Sequence, residues 1–163
     1  MKTKIAALLT ALTITFGALA SISFIPRASA QGSVYTALAS GSVPSATESN
    51  IYLLARIISA EARGEPYTGQ VAVGAVILNR IKHPSFPDSL SGVIYQEGAF
   101  TAIVDGQFNQ PISDSAYNAA RDALNGWDPT GGAIYYYNPA KTTNAFMHSR
   151  PVIVTIGEHR FCS

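Results

Sequence analysis

Between Ile51 and Ala62 the apolar positions recur at helical spacing. At roughly 100° per residue, Ile51, Leu54, Ala55, Ile57, Ile58 and Ala62 make one stripe, with Tyr52, Arg56, Ser59 and Arg63 on the opposite, wet side. Gly64 and Pro66 predict the stop. Farther on, Val71-Ala72-Val73-Gly74-Ala75-Val76-Ile77-Leu78 is apolar all round, which predicts a buried central helix with Thr68 as N-cap and Asn79 and Arg80 near its end. The Val and Ile content also fits a parallel strand, but the Ala and Gly positions and the length favour helix. His83 to Gly92, with two prolines and several serines, predicts loop, and Val93 to Gln110 predicts short turns and loop. Ser113 caps a third helix through Leu124, whose Ala116, Ala119, Ala120, Ala123 and Leu124 form a small-residue packing face and which Gly126 ends. A turn-rich connector, Trp127 to Gly132, leads into Tyr135-Tyr136-Tyr137-Asn138. Val152 to Gly157 predicts a late strand with Val152, Val154 and Ile156 on one face. The fold class is α+β, mainly helical with a small β element.

One residue breaks the first pattern. Glu61 lies inside the apolar stripe and in the last turn of its helix. Burial disfavours the ionised carboxylate, and the negative end of the helix dipole acts in the same direction. Such a carboxyl suits a group that holds a proton near neutral pH and donates it. An ion pair with Arg80 or Arg121 is the equal alternative on this pattern alone.

The first residues add a leader. Lys2 and Lys4 precede an apolar stretch from Ile5 to Ile25 and a small-x-small site at Ala28-Ser29-Ala30, which predicts a signal peptide over 1–30. An uncleaved anchor is the alternative, and no later segment has the length to span a bilayer. Residues 31–48 are Ser/Ala-rich and read as a flexible lead-in, leaving 49–163 for one domain. In 163 residues there is one cysteine, Cys162, so an exported chain of this kind relies on an apolar core instead of an internal disulfide.

Charge narrows the partners. The net charge of +1 argues against nucleic acid and favours a neutral or weakly charged polymer such as a glycan. His83, His148 and His159 never take the i, i+4 spacing of a helical zinc pair, so neither a metal site nor a cofactor is expected. No Gly-x-Ser-x-Gly is present, and Cys162 is in a terminal segment, which makes nucleophilic acyl transfer the weaker class. Tyr135-Tyr136-Tyr137, Trp127 and Phe100 offer flat faces for sugar rings. In a strand Tyr136 points one way and Tyr135 and Tyr137 the other, so at least one is exposed or lines a groove.

The chain from about Leu53 to Cys162 closely resembles the catalytic domain of the SleB/CwlJ-type spore cortex-lytic cell wall hydrolases. The resemblance runs in order through Ser59-Ala60-Glu61-Ala62-Arg63-Gly64-Glu65-Pro66, Gly69-Gln70-Val71-Ala72-Val73, Val76-Ile77-Leu78-Asn79-Arg80, Ala99-Phe100-Thr101, Asp105-Gly106-Gln107, Asn125 to Gly131, Tyr136-Tyr137-Asn138-Pro139, Ser149-Arg150-Pro151 and Ile156 to Cys162. It implies a lysozyme-like, lytic-transglycosylase-type fold acting on peptidoglycan glycan strands, with Glu61 as catalytic acid/base. By looser analogy it implies substrate contacts from Phe100, Thr101 and Gln107, and a late Tyr136/Asn138 element facing the carboxylate.

The expected activity is cleavage between N-acetylmuramic acid and N-acetylglucosamine, with a 1,6-anhydro product. A water-using lysozyme-type hydrolase needs a second carboxylate, for which Glu65 and Asp105 are the nearby candidates, Glu65 being as easily a solvated cap of the turn. A catalytically silent wall-binding protein is the reading from another class, against which the inward Glu61 speaks. The expected protein is a monomer, secreted to the cell wall or spore envelope and not inserted in the membrane once its leader is cleaved. Relatives with a leader usually carry an N-terminal wall-binding domain, whereas a short Ser/Ala-rich stretch precedes the catalytic part here. General wall remodelling is therefore as compatible with the chain as cortex lysis in germination.

Overall fold

The computed structural model describes residues 45–163; the expected leader, and the lead-in as far as residue 44, lie outside the described residues. Helix α1 spans Ala46–Glu61 and so begins ahead of the expected start near Ser49. The reason is a reciprocal cap. The Ser45 hydroxyl accepts the Glu48 N–H at 3.2 Å while the Glu48 carboxylate accepts the Ser45 N–H at 3.1 Å.

The apolar stripe of α1 is buried as expected, but its supposed wet side is largely covered. Ser59 is buried and bridges the Pro111 carbonyl and the Ser113 N–H. Arg56 donates to the Phe108 carbonyl at 2.9 Å and lies 4.2 Å above the Phe108 ring, and Tyr52 packs against the core. The segment around Phe108 and Ile112 folds over this face, a long-range contact that helical periodicity does not contain. Arg63 alone of the four is exposed.

Helix α2, Tyr67–Lys82, is the central helix, buried without interruption from Val71 to Ile77. Its cap position is Pro66, without a side-chain cap, so Thr68 lies inside the first turn and is not the cap. The Pro66 carbonyl accepts the Gly69 and Gln70 N–H groups instead. Gly74 lets three helices approach closely: a Cβ there would stand 2.9 Å from Ile58 Cδ1 and 3.1 Å from Ala123 Cβ.

Leu90–Ile94 forms a short helix, α3, where loop was expected; Ser89 caps it and Leu90, Val93 and Ile94 are buried. The prolines and serines nearby conceal this single apolar turn. Two 3₁₀ turns follow, at Thr101–Ile103 and Gln107–Asn109. Helix α4, Asp114–Leu124, is capped by Ser113 as read, and its alanines bury against α1 and α2. Leu124 departs from that face and is exposed.

The β element is small, as expected, and among the described residues it has three strands. Strands β1 (Tyr135–Tyr137), β2 (Val152–Ile156) and β3 (His159–Cys162) make an antiparallel sheet in the order β1-β3-β2. A short helix α5, Ala145–Ser149, precedes β2. An irregularity between Val152 and Val154 breaks the expected alternation, leaving Val152 exposed while Val154 and Ile156 pack on the core. Phe161 and Cys162 on β3 are fully buried, so the lone cysteine is a core residue.

The connector before β1 is held by Asp128. Its carboxylate accepts from the Thr130 N–H at 2.8 Å, the Gly132 N–H at 3.0 Å and Asn79 Nδ2 at 2.9 Å. Asn79 also donates to the Ala133 carbonyl, and Arg80 Nε donates to the Ile134 carbonyl at 2.8 Å. These bonds deliver β1 to the C-terminal half of α2, and with it Tyr136 to Glu61.

Candidate active site

Glu61 is the last residue of α1 and forms part of the walls of two adjoining hollows, of about 600 Å³ and 490 Å³. Thr101, Lys141 and His159 line both as well, so Glu61 stands where the two halves of one cleft meet. The Tyr136 hydroxyl donates to Glu61 Oε2 at 3.0 Å, and the Ala102 N–H also bonds the carboxyl. Burial is the dominant influence and raises the proton affinity of Glu61 above that of an ordinary glutamate. The bonds from Tyr136 and Ala102 oppose it, Asp105 adds to it and Arg80 opposes it.

The ion-pair alternative does not hold. Arg80 is buried, donates to the Ile134 carbonyl and stacks over Phe86 at 5.1 Å and Phe100 at 5.5 Å; no salt bridge joins Glu61 to any described arginine.

The other expected site residues separate. Tyr136 faces Glu61 directly. Thr101 is exposed at the junction of the two hollows. Phe100 lines the larger one but is buried beneath Arg80, so it supports the wall. Gln107 lines the smaller hollow with its amide nitrogen on Asp105 Oδ2 at 3.0 Å. Asn138 lines the larger hollow with Glu61, and its amide is held by the turn after β1: it donates to Glu158 Oε2 at 2.9 Å and accepts the Ala140 N–H at 2.8 Å.

The two candidate second carboxylates differ: Glu65 is buried, whereas Asp105 is exposed. The Glu65 side chain is only 6% exposed, which corrects its reading as a solvated cap. Glu65 Oε1 lies 3.1 Å from His159 Nδ1, and Oε2 accepts the Glu158 N–H at 3.1 Å. Asp105 accepts both the backbone N–H and the side-chain amide of Gln107. His159 and Lys141 escaped the sequence reading. No local pattern ties them to Glu61, because hairpin and loop reach the cleft only through the tertiary fold.

Residues 64–162 match the model of the Cell Wall Hydrolase family. The chain belongs to that family. It is 53% identical over 117 residues to the spore cortex-lytic enzyme of Halalkalibacterium halodurans, covering 72% of this chain and 36% of that protein. It is 32% identical over 123 residues to the cell wall hydrolase CwlJ of Bacillus subtilis, covering 71% of this chain and 86% of that one. The crystal structure of the catalytic domain of the Bacillus cereus SleB protein superposes with a TM-score of 0.68 at 50% identity, covering 74% of this chain and 95% of that domain. The family resemblance and the lysozyme-like α+β fold read from the sequence therefore hold. The cell wall hydrolase family match starts at Gly64, just beyond Glu61, and the chain spans from 36% to 45% of the length of the spore cortex-lytic enzymes it matches.

Proposed function

We propose that this cell wall hydrolase cleaves the peptidoglycan bond between N-acetylmuramic acid and N-acetylglucosamine as a lytic transglycosylase, outside the cytoplasmic membrane at the wall or spore cortex. The observation that carries the reading is Glu61: a largely buried carboxyl of raised proton affinity, hydrogen-bonded by Tyr136, at the middle of a two-sided cleft. Two similar proteins, the spore cortex-lytic enzyme of Halalkalibacterium halodurans and the germination-specific lytic transglycosylase SleB of Bacillus anthracis, whose catalytic domain is 49% identical with a TM-score of 0.68, support the same substrate and chemistry.

Protonated Glu61 donates to the glycosidic oxygen as the bond to muramic C1 breaks and positive charge develops on the ring. The carboxylate left behind takes the proton of the muramic C6 hydroxyl, whose oxygen closes on C1. Tyr136 and the Ala102 N–H stabilise that transient carboxylate, while burial restores the protonated form. A water-using mechanism needs a second carboxylate to act as base or nucleophile; Glu65 is buried against His159 and the Glu158 N–H, which leaves the exposed Asp105, bonded by Gln107, as the candidate that product analysis tests.

Mass spectrometry of fragments released from purified peptidoglycan tests this reading. The expected fragments carry 1,6-anhydro-muramic ends and are lighter than hydrolysis products by one water, about 18 Da. Reducing ends without anhydro species would overturn the transglycosylase reading.

A further inference from the structure

The mechanism leaves unused a buried acid and a buried imidazole beside the cleft. The Glu65 and His159 side chains are 6% and 11% exposed, and a carboxylate is not desolvated at such a place without compensation. Compensation comes from the Glu158 N–H, which donates to one oxygen, and from the close approach of the His159 ring, whose Nδ1 stands 3.1 Å from the other without aligned hydrogen-bond geometry. The backbone is shaped to admit it. Gly157 has φ +59, and a Cβ there would come 1.9 Å from Glu65 Oε2 and 2.8 Å from Pro66 Cδ. The β2–β3 turn thus presses against the residues that follow α1, with no room for a side chain.

What this contact holds is Tyr136. Its strand β1 is three residues long and, among the described residues, pairs only with β3, whose first residue is His159. The His159 ring meets the Tyr136 ring edge-on, with centroids 5.3 Å apart at 81°, and Phe161 packs on the same tyrosine at 5.9 Å. Asn138 ties the end of β1 to Glu158. The path from Glu65 through His159 to Tyr136 therefore begins just after α1 and returns to Glu61 at its end.

We propose that Glu65 and His159 are positioning residues, a buried clamp that fixes the Tyr136 hydroxyl on the Glu61 carboxyl. The proposal rests on Glu61 being the catalytic acid. Burial lowers the proton affinity of His159, and Glu65 opposes that, so the contact does not depend on a permanently charged imidazole. The groups around His159 are Glu65, Glu158 and Lys141; those around Glu61 are Tyr136, Asp105 and Arg80.

The test is steady-state kinetics on solubilised peptidoglycan across pH with the full chain and its variants Y136F, E65Q, H159Q and E65Q/Y136F. Losing the Tyr136 bond raises the proton affinity of Glu61, so Y136F is expected to move the alkaline limb of the kcat profile to higher pH. E65Q and H159Q are expected to lower kcat about 10–100-fold with KM little changed and to move that limb in the same direction. E65Q/Y136F is expected to match Y136F, because both changes remove one interaction. If E65Q folds poorly, H159Q carries the same comparison, and ¹³C resonances of labelled Tyr136 report whether its ring is released. Folded variants with an unmoved pH limb, or an additive double variant, would overturn the clamp. E61Q separates the two claims: an active E61Q sinks the catalytic reading, whereas an inactive E61Q with unaffected E65Q and H159Q sinks the clamp alone.

Discussion

In the proposed mechanism Glu61 carries opposing demands, since it holds a proton to protonate the leaving oxygen and releases it within the same turnover. Burial supplies the first, and the Tyr136 and Ala102 donors supply the second. Glu61→Gln keeps the shape without the transferable proton, so release of soluble fragments from peptidoglycan is expected to fall about 10²–10⁴-fold. Stability is expected to move the other way. The folded state holds this proton more tightly than the unfolded chain, whose value is near 4.5; the contribution is full below that pH and is lost as pH rises through the folded value. The glutamine variant should therefore melt about 2–4 °C higher than the wild type at pH 7, with the gap closing near pH 4 in calorimetry. A gap that does not change with pH would show that Glu61 is not held protonated by the fold.

Two elements bring partners to this acid, and each depends on one residue that admits no simple replacement. The β2–β3 turn requires Gly157, where an added Cβ meets the Glu65 carboxylate at a positive φ. Gly157→Ala is expected to cost about 2–4 kcal/mol by denaturant unfolding. At the helix crossing, Gly74→Ala is expected to cost less, about 1–2 kcal/mol, because the nearest atom is the movable end of Ile58. The connector into β1 requires Asp128. Burial pushes its carboxyl upward, but bonds from Asn79, Thr130 and Gly132 win and hold it below the usual range. Its stabilisation is present above the unfolded value near 3.8 and is lost as pH falls through the lowered folded value. Asp128→Ala is expected to cost about 2–4 kcal/mol at pH 7 and to narrow its deficit in strong acid, which parallel melts would reveal.

The cleft extends to both sides of Glu61, with Phe86, Tyr135 and Met147 along one half and Arg63, Gly64 and Gln107 along the other. A chain bound across both halves gains contacts on each side of the broken bond, and remote contacts of this kind assist the chemical step. Cleavage rate per bond is therefore expected to rise about 10-fold or more from a tetrasaccharide to longer glycan strands, as read by chromatography of chain-length-defined substrates. A flat dependence on length would confine binding to one half. Export belongs to the same level of description: N-terminal sequencing of secreted protein is expected to begin at Gln31, and Met1 found in the membrane fraction would instead mark an anchor.

Much of this architecture is legible in residue order. The inward Glu61, the buried run from Val71 to Ile77, the Ser113 cap and the alanine face of α4 are local patterns, because helical period and capping depend on residues a few positions apart. The family resemblance placed Tyr136 opposite Glu61, where the fold puts it. Other assignments required the chain to close on itself. Arg56 and Ser59 looked wet until the segment around Phe108 covered them, and the hold of Glu158 on the amide of cleft-lining Asn138 has no local signal. Glu65 and the Glu158–His159 turn are more than ninety residues apart, and nothing local marks them as partners. Their contact exists because the β2–β3 turn, lacking a side chain at Gly157, can approach the end of α1 closely enough for a backbone N–H and an imidazole to replace the water around a carboxylate.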